Sequence, residues 1–143
     1  MWIILSLSAS VVWGLTYVID EQIYKQISVF SSLSIASFFA FLVTLAMSFF
    51  LGDLRGDVGV LVSSKKTLLL VGVGTFTFIA AEFLIGLSIQ SKNAALAGLI
   101  EVSYPIFIVF FTTVFIGEAE INQMTFLGGL LILIGVFLVS YFN

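Results

Sequence analysis

Cysteine and histidine are both missing from the 143 residues, and proline occurs once, at Pro105. Without cysteine there are no disulfides and no thiol chemistry. Without histidine there is no imidazole-held metal and no Ser–His pair of the kind some intramembrane proteases need. Charge is scarce as well: 9% of the residues are charged, where a soluble domain carries roughly a quarter. The net charge of −3 is small and its carriers are scattered, which leaves no electrostatic footprint for nucleic acid. No nucleophile–base pair and no set of metal ligands stands out. The sequence therefore reads as a non-enzyme with no cofactor, no metal and no nucleic-acid partner.

What remains is apolar. Hydrophobic residues make up 61% of the chain, and the mean hydropathy is +1.26. Such a chain cannot cover its surface with polar groups, so its first partner is the lipid bilayer, with the plasma (inner) membrane as the expected location. The start, "MWIILSLSASVVWGL", lacks a basic flank and a clear cleavage site, and reads as a retained helix rather than a signal peptide.

Five stretches are long and apolar enough to cross a bilayer: 1–19, 29–51, 66–89, 94–116 and 124–142. "DEQIYKQ", "GDLRGD", "QSKN" and "GEAEINQ" separate them. They are too long for barrel strands and lack the alternating pattern of a barrel wall. The expected fold is an all-α membrane protein with five transmembrane helices in one domain, 1–143. The longest connection contains "VGVLV", too short to span but suited to the membrane interface. Five spans place the termini on opposite sides. Arg55, Lys65 and Lys66 fall on the N-terminal side, and Lys25 and Lys92 on the other. That weak bias gives little guidance to insertion, or permits it both ways round.

Ser6, Ser10, Trp13 and Tyr17 follow one another at helical spacing in the first stretch and share a face. The face suits either helix packing or an aromatic-lined pocket. Ser34, Ser37, Thr44 and Ser48 form a similar stripe in the second, read as a surface that hydrogen-bonds to a neighbouring helix. In the fifth, Gly128 and Gly135 stand two turns apart. They mark a contact surface for another helix, in the same subunit or a second one.

Two acids interrupt the apolar stretches, Glu82 in "FIAAEFLIG" and Glu101 in "GLIEVSYPIF". A charge at mid-helix costs about 2.5 kcal/mol or more, so such residues are functional candidates. Asp20, Glu21, Asp53, Asp57, Glu118 and Glu120 lie at span ends or in loops, where water reaches them. The link between the third and fourth stretches is short, so these two form an antiparallel hairpin. Glu82 precedes Lys92 by about as many residues as Glu101 follows it. At ~1.5 Å per residue both lie at a similar depth, roughly 10 Å inside the same face, near the level of Trp13 and Tyr17. Depth follows from this arithmetic; rotation about each helix axis does not. Glu101 shares its face with Gly98, whose small size admits another backbone or a ligand, and with Pro105. Pro105 has no N–H to give the carbonyl of Glu101 four residues back, so a kink is expected there. A free carbonyl beside a carboxyl would bind a cation, an amine or a proton donor. The plainer reading is that Pro105 only shapes the helix.

"SASVVWGLTYV" resembles the Trp–Gly opening of each half of the EamA-type carriers in the drug/metabolite transporter superfamily. "NAALAGLIEVSYPIFIVFFTTVFIGE" is similar to their fourth helix, with its small residues, its proline and a closing Gly117–Glu118. "FLGGLLILIGVFLV" is similar to their fifth. The resemblance covers nearly the whole chain. It implies one five-helix half of a ten-helix inverted-repeat transporter that carries small metabolites by alternating access. A half needs a partner: a second copy inserted upside down, or a homologous half. "SVFSSLSIASFF" lacks the proline and arginine that many family halves carry in their second helix. The first stretch also has no acid before Asp20, so the proton coupling of the related four-helix multidrug exporters does not carry over.

The expected function is a small-metabolite transporter working as an antiparallel dimer, coupled to a proton or cation through Glu101 and Glu82. Its cavity would also be lined by Trp13, Tyr17 and Tyr104. The competing reading is a non-transporting membrane subunit whose buried acids serve helix association.

Overall fold

The computed structural model describes residues 1–117 and 122–142. Among them the chain forms seven helices: α1 (Trp2–Tyr24), α2 (Val29–Leu51), α3 (Leu54–Ser63), α4 (Lys65–Ser91), α5 (Ala94–Glu101), α6 (Tyr104–Phe115) and α7 (Gln123–Phe142). Five segments are long and apolar enough to span a membrane: α1, α2, α4, α5 with α6 as one unit, and α7. The protein is an all-α integral membrane protein. No strand occurs among the described residues.

Four of the helices begin where the sequence supplies side-chain caps. The Ser28 hydroxyl accepts from the Ser31 amide, Asp53 from Gly56, Ser64 from Thr67 and Asn93 from Leu96, so amides with no partner in the first turn are satisfied. Asn122 does the same for Thr125 at the head of α7. At the far end of α6, Gly117 takes φ +81° and its amide reaches back to the Thr112 carbonyl at 3.2 Å. The left-handed conformation favours glycine there. Glu118, the other half of that closing pair, lies outside the described residues, as does Glu120.

Two elements differ from expectation. α1 does not stop at residue 19 but runs through Asp20 and Glu21 to Tyr24. The helix can continue because Glu21 finds partners, described below. The connection after α2 is itself helical, forming α3, which packs against α4.

Packing is concentrated at one end of the bundle. The buried residues among those described include Tyr24, Val29, Gly86, Ile89, Ala94 and Ala97, with Ser32 beside them. They come from the end of α1, the start of α2, the end of α4 and the start of α5, which all meet on the side of the α1–α2 and α4–α5 turns. Gly86 makes this meeting possible. A Cβ there would stand 2.7 Å from Val29 Cγ1 and 3.1 Å from the Tyr24 hydroxyl. Away from this end the apolar side chains face outward; Phe50 is 79% and Phe115 78% exposed. In water such a surface would aggregate, and in a bilayer it is solvated by lipid or covered by another subunit.

In the hydroxyl stripe of the second span, Ser34 and Thr44 do not hydrogen-bond to a neighbouring helix of this chain. Ser34 donates to the Phe30 carbonyl at 2.8 Å and Thr44 to the Ala40 carbonyl at 2.8 Å. Both spend their hydrogen on their own helix, which the local geometry offers without any neighbour. α2 packs instead through Val29, Ser32 and Leu33 near its start. On α7, Gly128 and Gly135 have no neighbour within 4 Å of where a Cβ would stand, and Gly129 is the one beside Ile106, at 3.9 Å. The contact of α7 with this chain therefore runs through the next residue round. The faces of Gly128 and Gly135 remain for lipid or a second subunit.

Candidate functional site

The fourth span is broken where Pro105 predicts. α5 ends at Glu101, Val102 and Ser103 form a turn, and α6 starts at Tyr104 with Pro105 in its first turn. Ser103 N–H bonds the Ile100 carbonyl at 3.2 Å and Ile106 N–H bonds Ser103 at 3.1 Å, both three residues back. The tighter turn lets the chain pass the proline, whose ring occupies the place of the donor that the Glu101 carbonyl would normally receive. Tyr104, three residues after Glu101, lines the same cavity as that acid.

Across from this break stands α1. Trp13 and Tyr17 lie one turn apart with ring centroids 5.8 Å from each other at 58°. The edge of Tyr17 rests against Gly98, whose Cβ, were there one, would be 3.3 Å from Tyr17 Cδ2. That approach delivers the Tyr17 hydroxyl to α5, where it donates a hydrogen bond to Glu101 Oε2. Glu82 enters from α4, half-buried and within electrostatic range of both Glu101 and Asp20.

These side chains surround one cavity of about 470 Å³. Ser10, Trp13, Gly14 and Tyr17 line it from α1, Glu82 from α4, and Gly98, Glu101, Val102 and Tyr104 from the broken span. All five residues singled out in the sequence, Glu101, Glu82, Trp13, Tyr17 and Tyr104, are brought together there. The undetermined rotation is thereby fixed: Glu101 faces the cavity and Tyr17, with Glu82 nearby.

The sequence profile of the EamA-like transporter family matches residues 1–141. The chain belongs to that family. No curated protein and no solved structure matches it. Members of the EamA-like family are membrane transporters of the drug/metabolite transporter superfamily, not enzymes.

For an EamA-like chain the lining is notable for what surrounds the two acids. The basic residues Lys25, Arg55, Lys65, Lys66 and Lys92 all lie outside it. Among the described residues no cluster of acids is placed to hold a metal ion. The polar partners available to a bound molecule are two carboxyl groups, the hydroxyls of Ser10, Tyr17 and Tyr104, and the Trp13 indole N–H.

Two residues dismissed as solvated span ends take part in the architecture. Glu21 Oε2 accepts a hydrogen bond from the Ala94 amide at 2.8 Å, and its other oxygen pairs with Lys25 at 3.3 Å. A carboxylate from α1 thus caps the start of α5, where the helix dipole favours negative charge. Only the small Ala94 beside Asn93 hinted at room for it. Asp20 is half-buried and lies within electrostatic range of Glu82, Tyr17 and Tyr24. Its place one turn beyond Tyr17 was a readable signal that it shares that face.

Proposed function

We propose that this EamA-like chain is a small-metabolite transporter of the plasma (inner) membrane that works by alternating access. Two copies of opposite orientation, or this chain and a homologous half, close the cavity between them. Glu101, with Glu82, carries the proton or cation that couples the cycle, and Trp13, Tyr17 and Tyr104 bind the solute. The observation that carries the reading is that the carboxyls of both span-interior acids and three aromatic side chains line one cavity in a family of transporters. Burying two acids in one place costs too much to serve packing alone. The open flank of the cavity and the exposed apolar helices of a single five-span unit support a partner.

Two measurements test it. Proteoliposomes are filled with a small-metabolite extract and the lumen is followed by mass spectrometry. Selective loss of at least one solute, absent from protein-free vesicles, is the expected result; retention of every solute overturns transport. Orientation is read in the cysteine-free chain by placing one cysteine at Gly59, on exposed α3, where an added Cβ meets nothing within 4 Å. A membrane-impermeant thiol reagent should label part of the population from each side of the membrane. Labelling from one side alone overturns the inverted pair of identical copies.

A further inference from the structure

We infer that the molecule this cavity takes is a small organic monocation with an apolar or aromatic body. Its charge sits beside Glu101 and Glu82 and its body lies against Trp13, Tyr17 and Tyr104. This rests on the cavity being the transport site and adds the class of solute.

The argument starts from charge. Both carboxyls face the cavity and no Lys or Arg lines it. The ion pair Lys25–Glu21 sits at the closed end of the bundle. Arg55, Lys65 and Lys66 belong to α3 and the head of α4, and Lys92 to the α4–α5 turn. Asp20, the other charged group near Glu82, is acidic too. An anion entering would meet carboxyls with only hydroxyl and indole donors to offset them. A cation supplies the counter-charge that the lining itself does not.

The walls are the second, independent observation. A strongly hydrated metal ion calls for many oxygen ligands, and the described residues hold no such cluster. The lining instead carries three aromatic side chains. A cation over an aromatic face within about 6 Å gains electrostatic attraction, and the ring covers the apolar part of the molecule at the same time. Tyr17 is held in place for this role, since Gly98 supports its edge and Glu101 takes its hydroxyl. The cavity volume of about 470 Å³ lies within the roughly 300–1,000 Å³ typical of small-molecule sites.

The probe is phenyltrimethylammonium, whose charge is permanent. Its neutral isostere tert-butylbenzene and the anion benzenesulfonate serve as comparisons. The chain has two tryptophans, so Trp2→Phe leaves Trp13 as the single reporter in the purified, lipid-reconstituted protein. The cation should change Trp13 fluorescence saturably, and neither comparison molecule should. Glu101→Gln should weaken the cation by roughly tenfold or more, and Glu101→Asp by much less. Tyr104→Leu should weaken it by roughly threefold through the lost ring. Each variant is first checked for an unchanged helical spectrum and elution volume.

The inference is overturned if the cation does not saturate, if either comparison molecule binds as tightly, or if Glu101→Gln combined with Glu82→Gln leaves cation binding unchanged. Its failure is separable from failure of transport. Cation binding as described, with vesicles that lose no solute, supports the ligand class and removes the transport reading. Vesicles that lose only neutral or anionic solutes do the reverse.

Discussion

Tyr17 on α1 donates its hydroxyl to the carboxylate of Glu101 on α5, joining residues 84 positions apart at the wall of the cavity. The bond links the aromatic face of the first span to the acid beside the broken fourth span. It makes these two helices one side of the site.

Tyr17→Phe keeps the ring on Gly98 and removes only the hydroxyl. Hydrogen bonds within membranes contribute roughly 0.6 kcal/mol on average and at most about 1.7. The variant should therefore lose about 1 kcal/mol in a denaturant titration of the lipid-reconstituted protein. An unchanged titration would mean that the pair does not hold α1 to α5.

Gly86→Ala tests the closed end. The new methyl would meet Val29 Cγ1 at 2.7 Å, and Val29 is 1% exposed with a stiff side chain. Overpacking of this kind costs roughly 1–3 kcal/mol, which outweighs the higher helix propensity of alanine. In a Val29→Ala background the tightest contact is gone, leaving the Tyr24 hydroxyl at 3.1 Å, and most of the penalty should vanish. Gly74, with nothing within 4 Å, is the control, and Gly74→Ala should be neutral or slightly stabilising.

Glu21→Ala removes the acceptor for the Ala94 amide. Hydrogen exchange at Ala94 should speed up, with a smaller effect in Glu21→Gln, which keeps a side-chain oxygen. Equal protection in all three proteins would show that the turn, and not the carboxylate, protects this amide.

Pro105→Ala restores a donor for the Glu101 carbonyl. The turn at Val102–Ser103 should then close into continuous helix, with a slowly exchanging amide at position 105. Stability should stay level or rise, because a helix-interior proline costs ~3 kcal/mol. Solute loss from vesicles should fall as the break that shapes this wall of the cavity closes. A fast-exchanging amide at 105 would mean that the break is imposed by the rest of the fold.

Much of this arrangement was legible before any coordinates. The spans followed from runs of apolar residues, and the break in the fourth from one proline's missing N–H. The common depth of Glu82 and Glu101 came from counting residues to either side of Lys92. Rotation was not legible, because each helix is apolar nearly all round and offers no polar face to orient it. The role of Glu21 was hidden for a related reason: a carboxylate at a span end reads as solvated unless the helix start opposite it is known. Ser34 and Thr44 misled because a hydroxyl on a helix can satisfy itself on its own backbone.

The central claim is that solute passage depends on the charge of Glu101. Proteoliposomes containing the natural chain, Glu101→Asp or Glu101→Gln, each loaded with the same metabolite extract, measure it directly. The natural chain and Glu101→Asp should release the same solute, the second more slowly. Glu101→Gln should release it at less than about a hundredth of the natural rate, the scale expected when a buried charge partner is removed. Release by Glu101→Gln at the natural rate would contradict the account.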